Sequence, residues 1–95
     1  DMPVGQIRCD IDGVEAVISV GLSPHFRGQG YGSRAISKAS EQVLATTPVR
    51  TVHAYIKPGN IASLRAFLRA GYKDEGLAMV HNQPVHHLVW QRSEL

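Results

Sequence analysis

The chain has 95 residues, enough for one small domain whose single hydrophobic core is still modest. Hydrophobic residues make up 43% and charged residues 19%, and the formal net charge is only +2, which does not indicate a nucleic-acid-binding surface. No apolar run approaches the roughly 20 residues of a membrane-spanning helix, and no signal peptide is recognisable. The single cysteine, Cys9, excludes an internal disulfide and is expected to be a half-buried strand residue rather than a nucleophile. We therefore expect one cytoplasmic domain over residues 1–95, without a nucleic-acid or membrane partner.

The hydrophobic pattern predicts an α/β chain with five strands and two helices. In chain order, these are strands over residues 3–10 and 14–22, a helix over about residues 30–45, a strand over 49–57, a second helix between Asn60 and Gly71, and strands over 72–80 and 85–91. Asp12-Gly13 is a strong signal for the first hairpin turn, and the last turn is predicted around Asn82-Gln83-Pro84. The helix between the second and third strands favours their being parallel neighbours.

The turn between the second strand and the first helix is rich in glycine. Pro24 ends the strand, and Arg27-Gly28-Gln29-Gly30-Tyr31-Gly32 then leads into the helix. Glycines let the backbone approach a ligand closely, and the first N–H groups of the helix lack partners and favour an anion. Arg27 adds a permanent charge with a donor geometry suited to phosphate. This segment therefore predicts a site for a phosphate or diphosphate.

Three phosphate-binding motifs compete for this turn. The nucleoside-triphosphate loop requires a lysine that is not present here. The dinucleotide fingerprint requires a different glycine spacing and a later acidic residue, which residues 49–56 do not contain. The pattern Arg-x-x-Gly-x-Gly is met by Arg27, Gly30 and Gly32. In that spacing, the turn resembles the acetyl-CoA site of the GNAT superfamily of N-acetyltransferases.

A second stretch resembles the other signature of the same superfamily. After the strand that ends near Ile56, Asn60 opens a helix, Ser63 follows three residues later, and Gly71-Tyr72 closes it. Asn60 is also a good N-cap residue, and both roles are compatible. Together the two motifs cover about residues 14–72. The resemblance implies a GNAT-like mixed, mostly antiparallel sheet with a central parallel strand pair that splays apart, and two helices.

The usual N-terminal strand and helices of that superfamily are not recognised here, so the chain is expected to be a minimal version, an excised domain or one completed by a partner. An exposed first strand would invite pairing with another copy, and a homodimer is one expectation.

The resemblance implies acetyl-CoA as co-substrate and assigns it a set of binding residues. Val20 and Leu22 would contact the pantetheine arm and thioester from the edge of the second strand. Asn60 and Ser63 would contact the cofactor from the second helix. The diphosphate would be held, largely through backbone N–H groups, by Arg27, Gly28, Gln29, Gly30, Tyr31, Gly32 and Ser33.

The sequence departs from the superfamily at the residues that move protons. Many members carry a tyrosine on the second helix as the acid for the departing thiolate, and Phe67 stands at the corresponding place. Candidate bases are Glu15, His25, His53 and Tyr55. His53 and Tyr55 rank first because they share one face of a strand, although neither can be assigned as catalytic. A metal site is not expected, since adjacent His86 and His87 point to opposite faces.

Two functions from different classes remain open at the level of sequence. The first is an N-acetyltransferase that moves an acetyl group from acetyl-CoA to a primary amine of a small molecule by direct attack. The opening strands faintly resemble small acetyltransferase modules beside bacterial surface-sugar enzymes, which suggests an amino sugar. The alternative is a non-catalytic CoA-binding or assembly module of a larger protein. Dinucleotide binding is disfavoured by the glycine spacing.

Overall fold

The computed structural model describes residues 5–22 and 31–91, which form one five-stranded sheet and two helices. The elements are β1 (Gly5–Asp12), β2 (Glu15–Leu22), α1 (Tyr31–Thr46), β3 (Thr51–Ile56), α2 (Ile61–Arg69), β4 (Lys73–Val80) and β5 (Gln83–Gln91). The sheet order is β1-β2-β3-β5-β4, and β2 and β3 are its parallel pair. This mixed, mostly antiparallel arrangement confirms the predicted fold class. Neither described helix is long and apolar enough to cross a membrane.

The parallel pair is joined over a short distance only. Its register covers Glu15 with Thr51, Ala16 with Val52 and Val17 with His53. Beyond these pairs, β2 continues to Leu22 and β3 to Ile56 without pairing to each other. The two strands therefore part after Val17 and His53, and the edge of β2 that faces β3 is left without sheet partners on that side.

One face of the sheet carries the core, and both helices pack on it. Ile36 from α1 and Phe67 from α2 are fully buried with the inward residues of the central strands. Alternate residues of β3 are buried, and those between them, including His53 and Tyr55, lie on the opposite face. The cluster comprises Ala16, Ile18, Ile36, Val49, Val52, Ala54, Ile56, Phe67, Tyr72 and Leu88.

A buried pair of hydroxyl groups links α1 to the short connection between α2 and β4. Ser40 Oγ and the Tyr72 hydroxyl lie 2.6 Å apart, and burial raises the pKa of Tyr72 to about 12. The Tyr72 ring meets the edge of Phe67 with ring centroids 4.9 Å apart. Among the described residues, no buried side-chain nitrogen or oxygen lacks a hydrogen-bond partner. The core is thus closed by a polar contact that is fully satisfied.

Two turns show where left-handed backbone is required. Gly13, at φ 63°, lies in the two-residue turn between Asp12 and Glu15, as the sequence predicts. The last hairpin turns at His81 and Asn82, whose φ angles are 51° and 63°. The predicted turn around Asn82-Gln83-Pro84 was therefore placed too late along the chain. Pro84 instead pairs with Met79 of β4 and precedes His86, the first β5 residue that pairs with β3. Its missing N–H therefore removes no bond between β3 and β5.

Cys9 has the surroundings expected from the sequence. It is half-buried in β1, and burial followed by the charge of Asp10 raises the pKa of its thiol. The structure thus confirms Cys9 as a half-buried strand residue, and the raised pKa disfavours its thiolate form.

Candidate functional site

The gap between β2 and β3 is the part of the fold around which the predicted site residues gather. Val20 is half-buried and packs against the core from the part of β2 that is not paired with β3. Leu22 is the last residue of β2, where it pairs with Gly5 on the far side from β3. Main-chain groups of this segment that face β3 therefore have no β3 partner. Such an edge can accept an extended ligand by hydrogen bonding, as a strand would.

The start of α1 is where the diphosphate is predicted. The helix begins at Tyr31, and Gly32 and Ser33 are buried in its first turn. No acidic residue lies in that turn, so nothing there opposes an anion at the helix N-terminus. Arg27, Gly28, Gln29 and Gly30, together with His25, lie outside the described residues, and their assigned contacts remain predictions.

A basic groove lies beside this end of α1. A cavity of about 330 Å³ lies at the surface where α1 meets the end of α2 and is lined by Ser33, Arg34, Ser37, Lys38 and Arg69. The cationic side chains Arg34, Lys38 and Arg69 are exposed, and Ser33 is also a predicted cofactor residue. The sequence analysis did not single out these cations. The spacing of Arg34 and Lys38, one helical turn apart, is the signal that could have indicated them.

Asn60 and Ser63 are brought together at the start of α2. The side-chain oxygen of Asn60 accepts a hydrogen bond from the Ser63 backbone N–H at 3.3 Å, which confirms Asn60 as the N-cap. Ser63 is almost completely buried, and Asn60 is exposed. Their contact with a cofactor remains a prediction.

On the face of the sheet away from the helices, three strands bring polar side chains into one chain of contacts. Glu15 Oε1 lies 2.6 Å from His53 Nε2, and His53 Nδ1 lies 2.8 Å from His87 Nε2. The Tyr55 ring is nearly parallel to that of His87, with centroids 4.9 Å apart. The structure thus unites the predicted candidates Glu15, His53 and Tyr55 and adds His87. We call Glu15, His53 and His87 the relay.

His87 was missed because its neighbours are set by strand pairing. Its position in β5 is directly opposite Tyr55 in β3, and both side chains therefore lie on the same face. Without that register, His87 is only one of two adjacent histidines. The relay contains a carboxylate and two imidazoles in hydrogen-bond contact, which together can take up, hold and pass on a proton.

The remaining expectations concern the adjacent His86 and His87, a metal ion, and Phe67. His86 contacts Asp74 at 3.1 Å, whereas His87 contacts His53, in agreement with the prediction that the two histidines face opposite ways. Within residues 5–22 and 31–91, no group of three or more potential ligands could hold a metal ion. Phe67 is fully buried in the core, so it is a packing residue in this fold.

The chain matches a known family and several solved structures. The sequence model of the acetyltransferase (GNAT) domain matches residues 1–73. The aminoglycoside acetyltransferase AAC(6')-Ib, crystallised with coenzyme A, is 19% identical with a TM-score of 0.84, over 96% of this chain and 61% of that one. A GNAT-family acetyltransferase from Bacillus anthracis is 19% identical with a TM-score of 0.81, over 93% and 58% of the two chains. A spermidine N-acetyltransferase from Vibrio cholerae is 15% identical with a TM-score of 0.76, over 93% and 57%.

The structural matches and the family match establish different things. At such identities, the solved structures establish the fold, and the chain spans about three fifths of the length of the proteins it resembles. No curated protein matches the chain. The family is established by the match over residues 1–73, which include the glycine-rich sequence before α1, and α1, β3 and α2 themselves. The chain therefore belongs to the GNAT acetyltransferase domain family.

Proposed function

We propose that this chain is an N-acetyltransferase that moves the acetyl group of acetyl-CoA to a primary amine of a small molecule. The observation that carries the proposal is the early end of the β2–β3 pairing at Val17 and His53, with a proton-accepting relay beside the gap. Family membership supports the reaction type. The gap supplies the place for an extended thioester arm, and the relay supplies the proton acceptor that an attacking amine requires.

The described residues fit acetyl-CoA as the co-substrate. The β3-facing edge of β2 near Val20 and Leu22 would hold the pantetheine arm through main-chain bonds. Gly32 and Ser33 would contribute helix N-terminal amides to the diphosphate, with Arg27, Gly28, Gln29, Gly30 and Tyr31 completing the predicted turn. Coenzyme A is also the ligand in the crystal structure of the aminoglycoside acetyltransferase AAC(6')-Ib, which has the same fold. When bound, acetyl-CoA would supply the activated acetyl group.

The cations of the basic groove add a further anion contact. The exposed Arg34, Lys38 and Arg69 surround a cavity that begins at Ser33, in the turn predicted to hold the diphosphate. Coenzyme A carries a third phosphate besides its diphosphate, so a second basic surface close to the first is useful to it. We therefore extend the proposed cofactor site along α1 to this groove.

The proposed chemistry is direct attack with three requirements. The amine must lose a proton, the thioester oxygen needs a donor as negative charge develops, and the leaving sulfur must be protonated. The main chain near Val20 would donate to the oxygen. His53, bonded to Glu15, belongs to the network that would take the amine proton, and Tyr55 stands beside it.

The acceptor is proposed to be a small cationic amine, with an amino sugar as the first candidate. AAC(6')-Ib has been crystallised with ribostamycin and coenzyme A, and another protein of the fold is a spermidine N-acetyltransferase. The face that carries the relay presents Glu15, whose side chain is 60% exposed, and Tyr55, which is 41% exposed. A carboxylate and an aromatic ring are suitable partners for an ammonium group.

We further propose that residues 1–95 act as a single acetyltransferase domain in the cytoplasm, as a homodimer or as part of a longer chain. The half-buried Cys9 thiol, with its raised pKa, is compatible with a reducing compartment.

The proposal is tested by separating binding from transfer. Calorimetry with acetyl-CoA measures binding, and mass spectrometry of acetylated products across aminoglycosides, amino sugars and polyamines measures transfer. We expect saturable binding and at least one acetylated primary amine. A folded sample that does not bind acetyl-CoA would contradict the proposal. Binding without transfer to any amine would favour the non-catalytic CoA-binding module instead.

A further inference from the structure

The relay has a defined arrangement of hydrogens because its first member can only accept. An ionised carboxylate has no proton to donate, so the contact at 2.6 Å between Glu15 Oε1 and His53 Nε2 requires a hydrogen on that nitrogen. In a neutral His53, Nδ1 is then an acceptor. The contact at 2.8 Å with His87 Nε2 therefore requires His87 to donate from Nε2. Nδ1 of a neutral His87 is left with its lone pair.

That lone pair is the outer end of the relay. No side chain within residues 5–22 and 31–91 is hydrogen-bonded to Nδ1 of His87. The ring is held in place by its contact with His53 and by Tyr55, which lies parallel to it at 4.9 Å. His87 is half-buried, and these two contacts fix its ring. Nδ1 is therefore a hydrogen-bond acceptor that is held in one place.

The relay also lies level with the gap. His53 belongs to the last registered pair between β2 and β3, and Tyr55 is the next residue of β3 on the same face. Tyr55 is paired with His87 across the β3–β5 ladder. His87 therefore lies across β3 from the gap, level with the part of β3 that has already separated from β2. The proposed thioester would lie along the other edge of that part of β3.

We propose that Nδ1 of His87 takes the proton from the attacking amine and that His53 and Glu15 stabilise the charge behind it. This inference rests on the proposed function. As the amine N–H bond breaks, its electron pair stays on nitrogen and a His87 Nδ1–H bond forms. The proton on His87 Nε2 passes to His53 Nδ1. The positive charge then rests on His53, in contact with the Glu15 carboxylate.

The overall reaction balances with the groups that the proposal names. An ammonium substrate and acetyl-CoA give the amide, the free thiol and one proton. Nitrogen loses two protons in all: the relay takes one and returns it to solvent by the same path in reverse, and the second passes from nitrogen to the departing sulfur as the C–S bond breaks. His87 is thus the catalytic residue, and His53 and Glu15 are positioning residues that act through it. Other titratable or charged side chains share this face by strand register and bear on a pH profile. They are Arg8, Asp10, Asp12, Tyr55 and Lys73.

Kinetics of relay variants test the assignment in the full chain. His87→Gln should lower kcat at least about 100-fold, the scale of general-base catalysis, with KM for acetyl-CoA within about twofold. His87→Ala should regain activity with added imidazole, which a purely structural role would not allow. Glu15→Gln should lower kcat about tenfold or more and move the pH profile, because the charge on His53 loses its partner. The matched control is His86→Gln, the adjacent histidine on the opposite face, which should keep kcat within about twofold.

A readout independent of turnover tests the hydrogens themselves. Nitrogen-15 NMR of the histidine rings of the wild-type chain at neutral pH should find both His53 and His87 protonated at Nε2. A His87 protonated at Nδ1 instead would overturn the assignment. If His87→Gln transfers acetyl groups at the wild-type rate, the assignment of His87 as the base is overturned, and the proposed function remains intact. Absence of transfer with every amine would overturn both.

Discussion

Removing the Tyr72 hydroxyl provides a sharp test of how the core is closed. In Tyr72→Phe, the ring keeps its edge contact with Phe67 and its parallel neighbour Trp90, at centroid distances of 4.9 and 6.0 Å. What is lost is the 2.6 Å bond to Ser40 Oγ, and Ser40 has no exposed surface. An orphaned buried hydroxyl costs about 1–3 kcal/mol, and we expect the free energy of unfolding to fall by that amount. For a domain of this size, the melting temperature should drop by about 4–8 °C per kcal/mol.

The pairing of the two hydroxyls makes the effect non-additive. Ser40→Ala alone leaves the Tyr72 hydroxyl without its partner and should also destabilise the chain. The double variant removes both groups, so its loss of stability should be smaller than the sum of the single losses. Urea unfolding of the wild type, both single variants and the double variant measures the coupling energy. A coupling of zero, or an unchanged stability of Tyr72→Phe, would refute the reasoning.

The dependence of stability on alkaline pH is a second test of the burial of Tyr72. The pKa of Tyr72 is raised from 10.0 to about 12 by burial, so between these values the folded chain holds the phenol proton that the unfolded chain has lost. Stability contributed by Tyr72 is therefore present below about pH 10 and is lost as the pH rises towards 12. Subtracting the pH dependence of Tyr72→Phe from that of the wild type isolates this loss. If the difference in the free energy of unfolding between wild type and Tyr72→Phe does not fall between pH 10 and 12, burial does not raise the pKa of Tyr72.

Three further predictions test the site and its edges. Lys38→Gln and Arg69→Gln should each raise KM for acetyl-CoA about 3–10-fold with little change in kcat, because they remove uniform binding of an anion; Arg65→Gln on the outside of α2 is the control. Asn60→Ala should lower the free energy of unfolding by about 1 kcal/mol through loss of the N-cap, whereas Asn60→Asp should retain it, and calorimetry of both with acetyl-CoA detects any direct contact. Light scattering should give a dimer mass if β1 pairs with a second copy, and a monomer mass would remove that proposal.

Local patterns in the sequence were sufficient for most of the fold. Alternating apolar residues in β2 and β3 predict the buried and open faces, because successive side chains of a strand point to opposite sides. The signals for a turn at Gly13 and a cap at Asn60 were also correct, since each depends on backbone chemistry within a few residues. The family follows from two motifs that are each continuous in the chain. The last turn was misplaced because its two left-handed residues are His81 and Asn82, whereas the prediction relied on Asn82 and the proline that follows it.

Some features of the candidate site also follow from local sequence, and others depend on the tertiary structure. The sequence by itself determined the N-cap of α2 and the shared face of His53 and Tyr55, and it predicts the glycine-rich phosphate turn before α1. Only the tertiary structure decided that His87, 34 residues after His53, bonds to it, and that Arg69 closes a groove against α1. The physical reason is that side-chain direction is a local property of a strand, whereas strand partners and register are fixed by burial of the whole sheet face.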